Sequence, residues 1–109
     1  MENWRKHPEF DDQTVRALKS AVGDEAFESM KIQFRDDLEK LRLAYSEAHG
    51  KADANAARET AHALKGAASN IGLMRLGALA ANLEGGEKED VGELDATFDS
   101  AIECLMREA

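Results

Sequence analysis

The feature that most limits the fold is an apolar stripe at helical spacing that recurs along the chain. Phe27, Met30, Phe34, Leu38, Leu41, Tyr45 and Ala48 follow one another at intervals of three or four, the spacing that lines one face of an α-helix. Asp24 is positioned to cap this long helix and Gly50 to end it. A second stripe runs through Ala57, Ala61, Leu64, Ala68 and Ile71 from a start at Asp53, and a third through Leu73, Leu76, Ala80 and Leu83 to the pair Gly85 and Gly86. After the polar run EKED, Val91, Leu94, Phe98, Ala101 and Leu105 give a fourth. A shorter helix, capped by Asp11 or Asp12 and carrying Val15, Leu18 and Val22, precedes them and stops at Gly23. Four amphipathic helices joined by short links fold most simply into an antiparallel up-down bundle, with the short additional N-terminal helix over one end. The expectation is an all-α chain: a loosely structured lead-in over residues 1–10, anchored by Trp4 and Phe10, and a single domain over 11–109.

Composition narrows the function classes. A formal charge of −8 disfavours nucleic acid and anionic membrane as partners, because binding them relies on clustered Lys and Arg. No apolar run approaches the roughly 20 residues of a membrane span, and MENWRKHPEF has no signal-peptide core, so a cytoplasmic location is expected. Cys104 has no second cysteine to pair with in a chain containing one and reads as a small core side chain. One Cys and three scattered His lack zinc-ligand spacing. The acidic run Glu87, Glu89 and Asp90 reads as a solvated loop, and His7 and His49 as solvated residues, His49 near a helix C-terminus where positive charge is favoured.

The segment AHALKGAASNIG, residues 61–72, departs from this pattern. With the stripe Ala57/Ala61/Leu64/Ala68/Ile71 set at zero and each residue advancing about 100°, His62 lies roughly 140° away, Lys65 roughly 80°, Ser69 near 120°, Arg58 near 100° and Gly66 near 180°. His62 therefore faces outward, with Lys65 on the same side. Helical side chains lean toward the N-terminus, so any side chain at 66 would project over the imidazole. Gly66, which costs the helix roughly 1 kcal/mol relative to alanine, leaves the ring open to an approaching surface. If the third and fourth helices of the chain are antiparallel and turn near Leu73, residues at equal sequence distance from the turn come level, and position 62 pairs with 84. A Glu84 carboxylate beside one ring nitrogen would fix the tautomer and make the other nitrogen the better nucleophile. Lys65, with Arg58 in range, could partly neutralise a negative group added to His62.

These residues resemble the signature of histidine-containing phosphotransfer (HPt) domains, roughly HxLKGxxxxxG with small residues after the first glycine. The similarity extends through the short opening helix, the long second helix and the L..L...LE pattern of LGALAANLE, covering roughly residues 10–108. The resemblance implies that His62 carries a phosphoryl group on the ring nitrogen far from the backbone and that Glu84 holds the other nitrogen. It further implies that Lys65 helps stabilise the phosphohistidine and that Gly66 admits the receiver domain of a response regulator. Ala67 and Ala68 stand where many relatives have a serine, and Glu84 where others have glutamine. The implied partners are receiver domains and an upstream hybrid sensor histidine kinase. A monomer is expected, without a cofactor of its own; any Mg²⁺ would sit in the receiver's acidic pocket.

No GxxxxGK[ST] or glycine-rich ATP lid occurs, so self-phosphorylation from ATP is not expected. Glu59-x-x-His62 has the spacing used in di-iron carboxylate bundles, but those sites need two such motifs and inward glutamates. His7 and His49 have no glutamate three positions earlier, and His62 points outward. A plain helical interaction module is the remaining alternative. The initial Met and the complete bundle suggest a stand-alone relay.

Overall fold

The structure, a computed structural model, describes residues 3–86 and 88–108. Met1, Glu2 and Ala109, at the ends of the expected lead-in and domain, lie outside the described residues, as do Glu87 and the side chain of Glu89 from the expected acidic loop. Five α-helices form: α1 (Asp12–Val22), α2 (Asp24–Gly50), α3 (Ala54–Asn70), α4 (Met74–Glu84) and α5 (Leu94–Glu108). The body measures 42 × 25 × 19 Å, longest along the helix axes. α3 packs against α2 and α4, α4 also against α5, and α5 against α2, which closes a ring of four helices; α1 lies against α2. The links at 51–53 and 71–73 are too short for anything but antiparallel neighbours.

The caps follow from local chemistry. Asp11 accepts from the backbone N–H of Gln13 at 3.1 Å and Asp53 from that of Ala56 at 3.1 Å, opening α1 and α3. At the start of α2 the cap residue is Gly23, with φ 88°, and Asp24 is the first helical residue. Asp24 therefore does not cap; its charge still favours the exposed N–H groups of the first turn. α2 runs through Gly50, and the left-handed residue after it is Ala52, with φ 57°. Gly72, φ +83°, makes the α3/α4 turn: a Cβ there would meet the backbone oxygen of Asp11 at 3.0 Å. Its carbonyl accepts from Asp11 N–H at 2.7 Å, tying the start of α1 to the turn.

The core contains Phe27, Leu38, Leu64, Ile71, Leu76, Leu79, Phe98 and Leu105. Two expectations are corrected, for Val22 and for the start of α5, and one charged residue, Lys31, is buried without having been singled out. Val22, the last residue of α1, is 42% exposed rather than inward. Lys31, on the α2 stripe side, is only 4% exposed; its stem runs past the Phe27 ring and its ammonium reaches Glu28 at 3.0 Å, a long side chain burying its methylenes while keeping an ion pair. α5 begins at Leu94, not Val91, since residues Lys88–Glu93 form a 3₁₀ segment. Asp90 accepts from Trp4 Nε1–H at 3.2 Å and Asn82 Nδ2–H at 3.1 Å, which draws that segment onto α4, and Gly92 weakens a continuous helix.

α4 is buried on most of its surface: Leu76, Gly77, Ala78, Leu79, Ala80, Asn82 and Leu83 are all covered. The expected lead-in supplies part of that cover through a 3₁₀ turn, Trp4–Lys6, that packs on α4, with Trp4 5% exposed and Phe10 half-buried against the core. Cys104 is buried on α5. His49 is exposed at the end of α2 and stacks on Tyr45, ring centroids 6.1 Å apart. Among the described residues no helix is long and apolar enough to cross a membrane.

Candidate phosphotransfer site

α3 and α4 are brought into register by small residues on their facing sides. A Cβ at Gly77 would stand 2.8 Å from Ser69 Oγ and 3.7 Å from the Lys65 carbonyl oxygen, so with glycine there Ser69 keeps its place in the seam between α3 and α4. Ser69 and Gly77 lie four residues either side of Leu73, and His62 and Glu84 lie eleven either side of it. The register that seats Gly77 on Ser69 therefore brings Glu84 level with His62. The sequence carries a signal for Gly77, since the equal-distance rule pairs a glycine with the small residue Ser69 there.

The two side chains meet. His62 Nδ1 is 2.8 Å from Glu84 Oε2, and Lys65 Nζ is 2.8 Å from Glu84 Oε1, so one carboxylate takes a partner on each oxygen. A carboxylate oxygen accepts only, so Nδ1 carries the ring proton and Nε2 keeps its lone pair when the ring is neutral. The imidazole side chain is 66% exposed, whereas Glu84 is 27% and Lys65 36% exposed. The Lys65 hydrogen bond, chiefly, holds Glu84 below the ordinary carboxylate pKa; desolvation opposes this, and the His62 hydrogen bond adds to it.

A Cβ built on Gly66 meets nothing within 4 Å. Its glycine leaves open space on the outer face and serves no helix packing, unlike Gly77. Arg58 does not turn toward His62: it donates to Asn55 Oδ1 at 2.8 Å and lines a hollow with Tyr45, His49, Leu83 and Glu84 at the end of the bundle. Ser69 is exposed but sits in the α3/α4 seam. Glu59 is exposed on α3, and among the described residues no three His, Cys, Asp or Glu side chains come together as a metal-ligand set.

The site is thus an imidazole paired through Nδ1 with a carboxylate on the outer surface of an all-helical bundle. The sequence model of the Hpt domain family matches residues 25–107, and the chain belongs to that family: it is a histidine phosphotransfer protein of phosphorelays. The fold is shared with the crystal structure of histidine-containing phosphotransfer protein B (HptB) from Pseudomonas aeruginosa PAO1. That match has a TM-score of 0.83 at 22% sequence identity and covers 94% of this chain and 96% of that one. No curated protein gives a significant sequence match.

Proposed function

We propose that His62 is the residue that receives and passes on the phosphoryl group, and that its exchange partner is the aspartate of a receiver domain. The observation that carries this reading is the pairing of Nδ1 with Glu84 on a largely exposed ring, because it leaves Nε2 as the nucleophile on a surface another protein can cover. In the forward step the Nε2 lone pair attacks the phosphorus of the aspartyl phosphate. The Nε2–P bond forms, the P–O bond breaks, and its electron pair stays with the aspartate. The ring, still carrying its Nδ1 proton, gains positive charge, and Glu84 lies where that charge develops. The reverse step returns the electron pair to Nε2. Alignment and charge neutralisation supply most of the catalysis in such transfers.

Gly66 gives the receiver its approach, and Lys65 places a cation beside the site. In this reading the protein is a carrier that takes no phosphate from ATP by itself, works as a cytoplasmic monomer and needs no cofactor. Mg²⁺ belongs to the receiver's acidic pocket, and a hybrid sensor histidine kinase lies upstream. Incubation with a phosphorylated receiver domain and Mg²⁺ tests it. The wild-type chain should acquire an acid-labile label and His62→Gln none; label retained on His62→Gln would overturn the assignment.

A further inference from the structure

Tyr45, near the end of α2, is 3% exposed, yet its hydroxyl hydrogen-bonds to nothing among the described residues. A buried donor without a partner costs free energy, and phenylalanine would fill the same space without that cost. Burial also holds the phenol above its ordinary pKa, so at neutral pH the group is an O–H donor. Tyr45 lines the hollow at the end of the bundle. That hollow has a volume of about 400 Å³, within the roughly 300–1,000 Å³ of small-ligand clefts.

The rest of the lining has one chemical sense. Arg58 commits Nη2 to Asn55 Oδ1 at 2.8 Å, which steadies the guanidinium and leaves Nε and Nη1 without a partner among the described residues. His49 lies against the Tyr45 ring, the two planes 7° from parallel, and adds a second aromatic wall. Ala57, Leu83 and Val91 add apolar surface. The one carboxylate among the described lining residues is Glu84. Its oxygens are engaged by His62 Nδ1 and by the Lys65 ammonium, which offsets its charge. Unpaired donors, one of them cationic, thus share a hollow with apolar walls, a combination that suits an anion carried on an apolar body.

We infer that this hollow is a binding site for a small organic carboxylate, whose apolar body lies on Ala57, Leu83 and Val91 and whose carboxylate accepts from the Tyr45 hydroxyl and the Arg58 guanidinium. The planar fork of arginine matches the two oxygens of a carboxylate. The recess favours a free molecule over an acidic side chain of a partner protein: Tyr45 shows only 3% of its surface, and a short side chain on a folded surface brings its backbone with it. The site stands whether or not His62 carries phosphate. Arg58 lies one helical turn before His62, so a bound anion would sit beside the face offered to a receiver.

Phenylacetate is a suitable probe, with its uncharged amide and with acetate as controls. In an NMR titration of the ¹⁵N-labelled protein, phenylacetate should cause saturable shifts at Tyr45, His49, Arg58 and Val91. The amide and acetate should each bind about tenfold more weakly, and Tyr45→Phe and Arg58→Gln should each weaken phenylacetate by about tenfold, the loss expected for one hydrogen bond to a charged group. Tyr45→Phe removes no internal hydrogen bond, so circular dichroism should show its bundle intact. Equal binding of the amide, unchanged affinity in Tyr45→Phe, or shifts scattered over the surface would overturn the inference. Absence of saturable binding at millimolar probe would do so too; slower labelling of Tyr45→Phe by a phosphorylated receiver would in that case assign the recess to the partner protein.

Discussion

A glycine on the outer face of α3 and a glycine in the seam between α3 and α4 do opposite things, and their sequence contexts differ little. Gly77 permits contact; a methyl group there meets Ser69 Oγ at 2.8 Å. Gly66 permits approach; a methyl group there meets nothing. Gly66→Ala is therefore expected to stabilise the isolated protein by about 0.5–1 kcal/mol, the helix propensity that glycine forgoes. Gly66→Gln should preserve the fold yet slow labelling by a receiver, since its side chain leans back over the His62 ring. Urea denaturation and transfer kinetics on the same variants check both, and wild-type transfer in Gly66→Gln would count against the access argument. At this scale helical angles and the equal-distance rule made His62, Gly66 and Glu84 legible as neighbours. The acceptor chosen by Lys65 was not legible, because an angle gives the face a side chain occupies but not which atom within reach it bonds.

The elements were legible as far as their periodicity was one-sided. α3 shows one stripe and buries Ala61, Leu64 and Ala68 along it. α4 was read in the same way, yet its small residues Gly77, Ala78 and Ala80 are covered too; alanine and glycine carry little hydropathy contrast, so a helix rich in them hides how many faces it buries. Lys31 escaped for a related reason, since its charge masks a long apolar stem. α3 depends on its first turn to carry His62 at the correct height, and Asp53 caps that turn through Ala56 N–H. Asp53→Ala should cost about 1 kcal/mol of global stability in chemical denaturation. The loss should appear first as faster amide exchange over residues 54–58, leaving the far end of α3, near Gly72, protected.

Across the whole molecule, the ring of four helices followed from stripes and short links, but the N-terminal clasp did not. Trp4 reaches Asp90 across 86 residues of sequence, and Asp90 in turn holds Asn82 on α4. Arg5 lies over the Trp4 ring and pairs with Glu93 at 3.1 Å. No local pattern announces pairings between segments so far apart, which explains both the misplaced start of α5 and the underrated lead-in. Trp4→Ala should lower stability by about 3–5 kcal/mol, as expected for deleting a buried aromatic ring, with thermal unfolding by circular dichroism as the measure; a loss below 1 kcal/mol would show that the clasp is ornamental to the bundle.

The proposed acceptor nitrogen rides on the convex outside of a rod, and that sets the kinetics of any relay built on it. With the imidazole 66% exposed, each transfer is a collision between two proteins, second order in their concentrations until the docking surface saturates. Copy number then acts as the throttle: a cell that doubles a scarce receiver doubles the traffic without altering a single bond in the carrier.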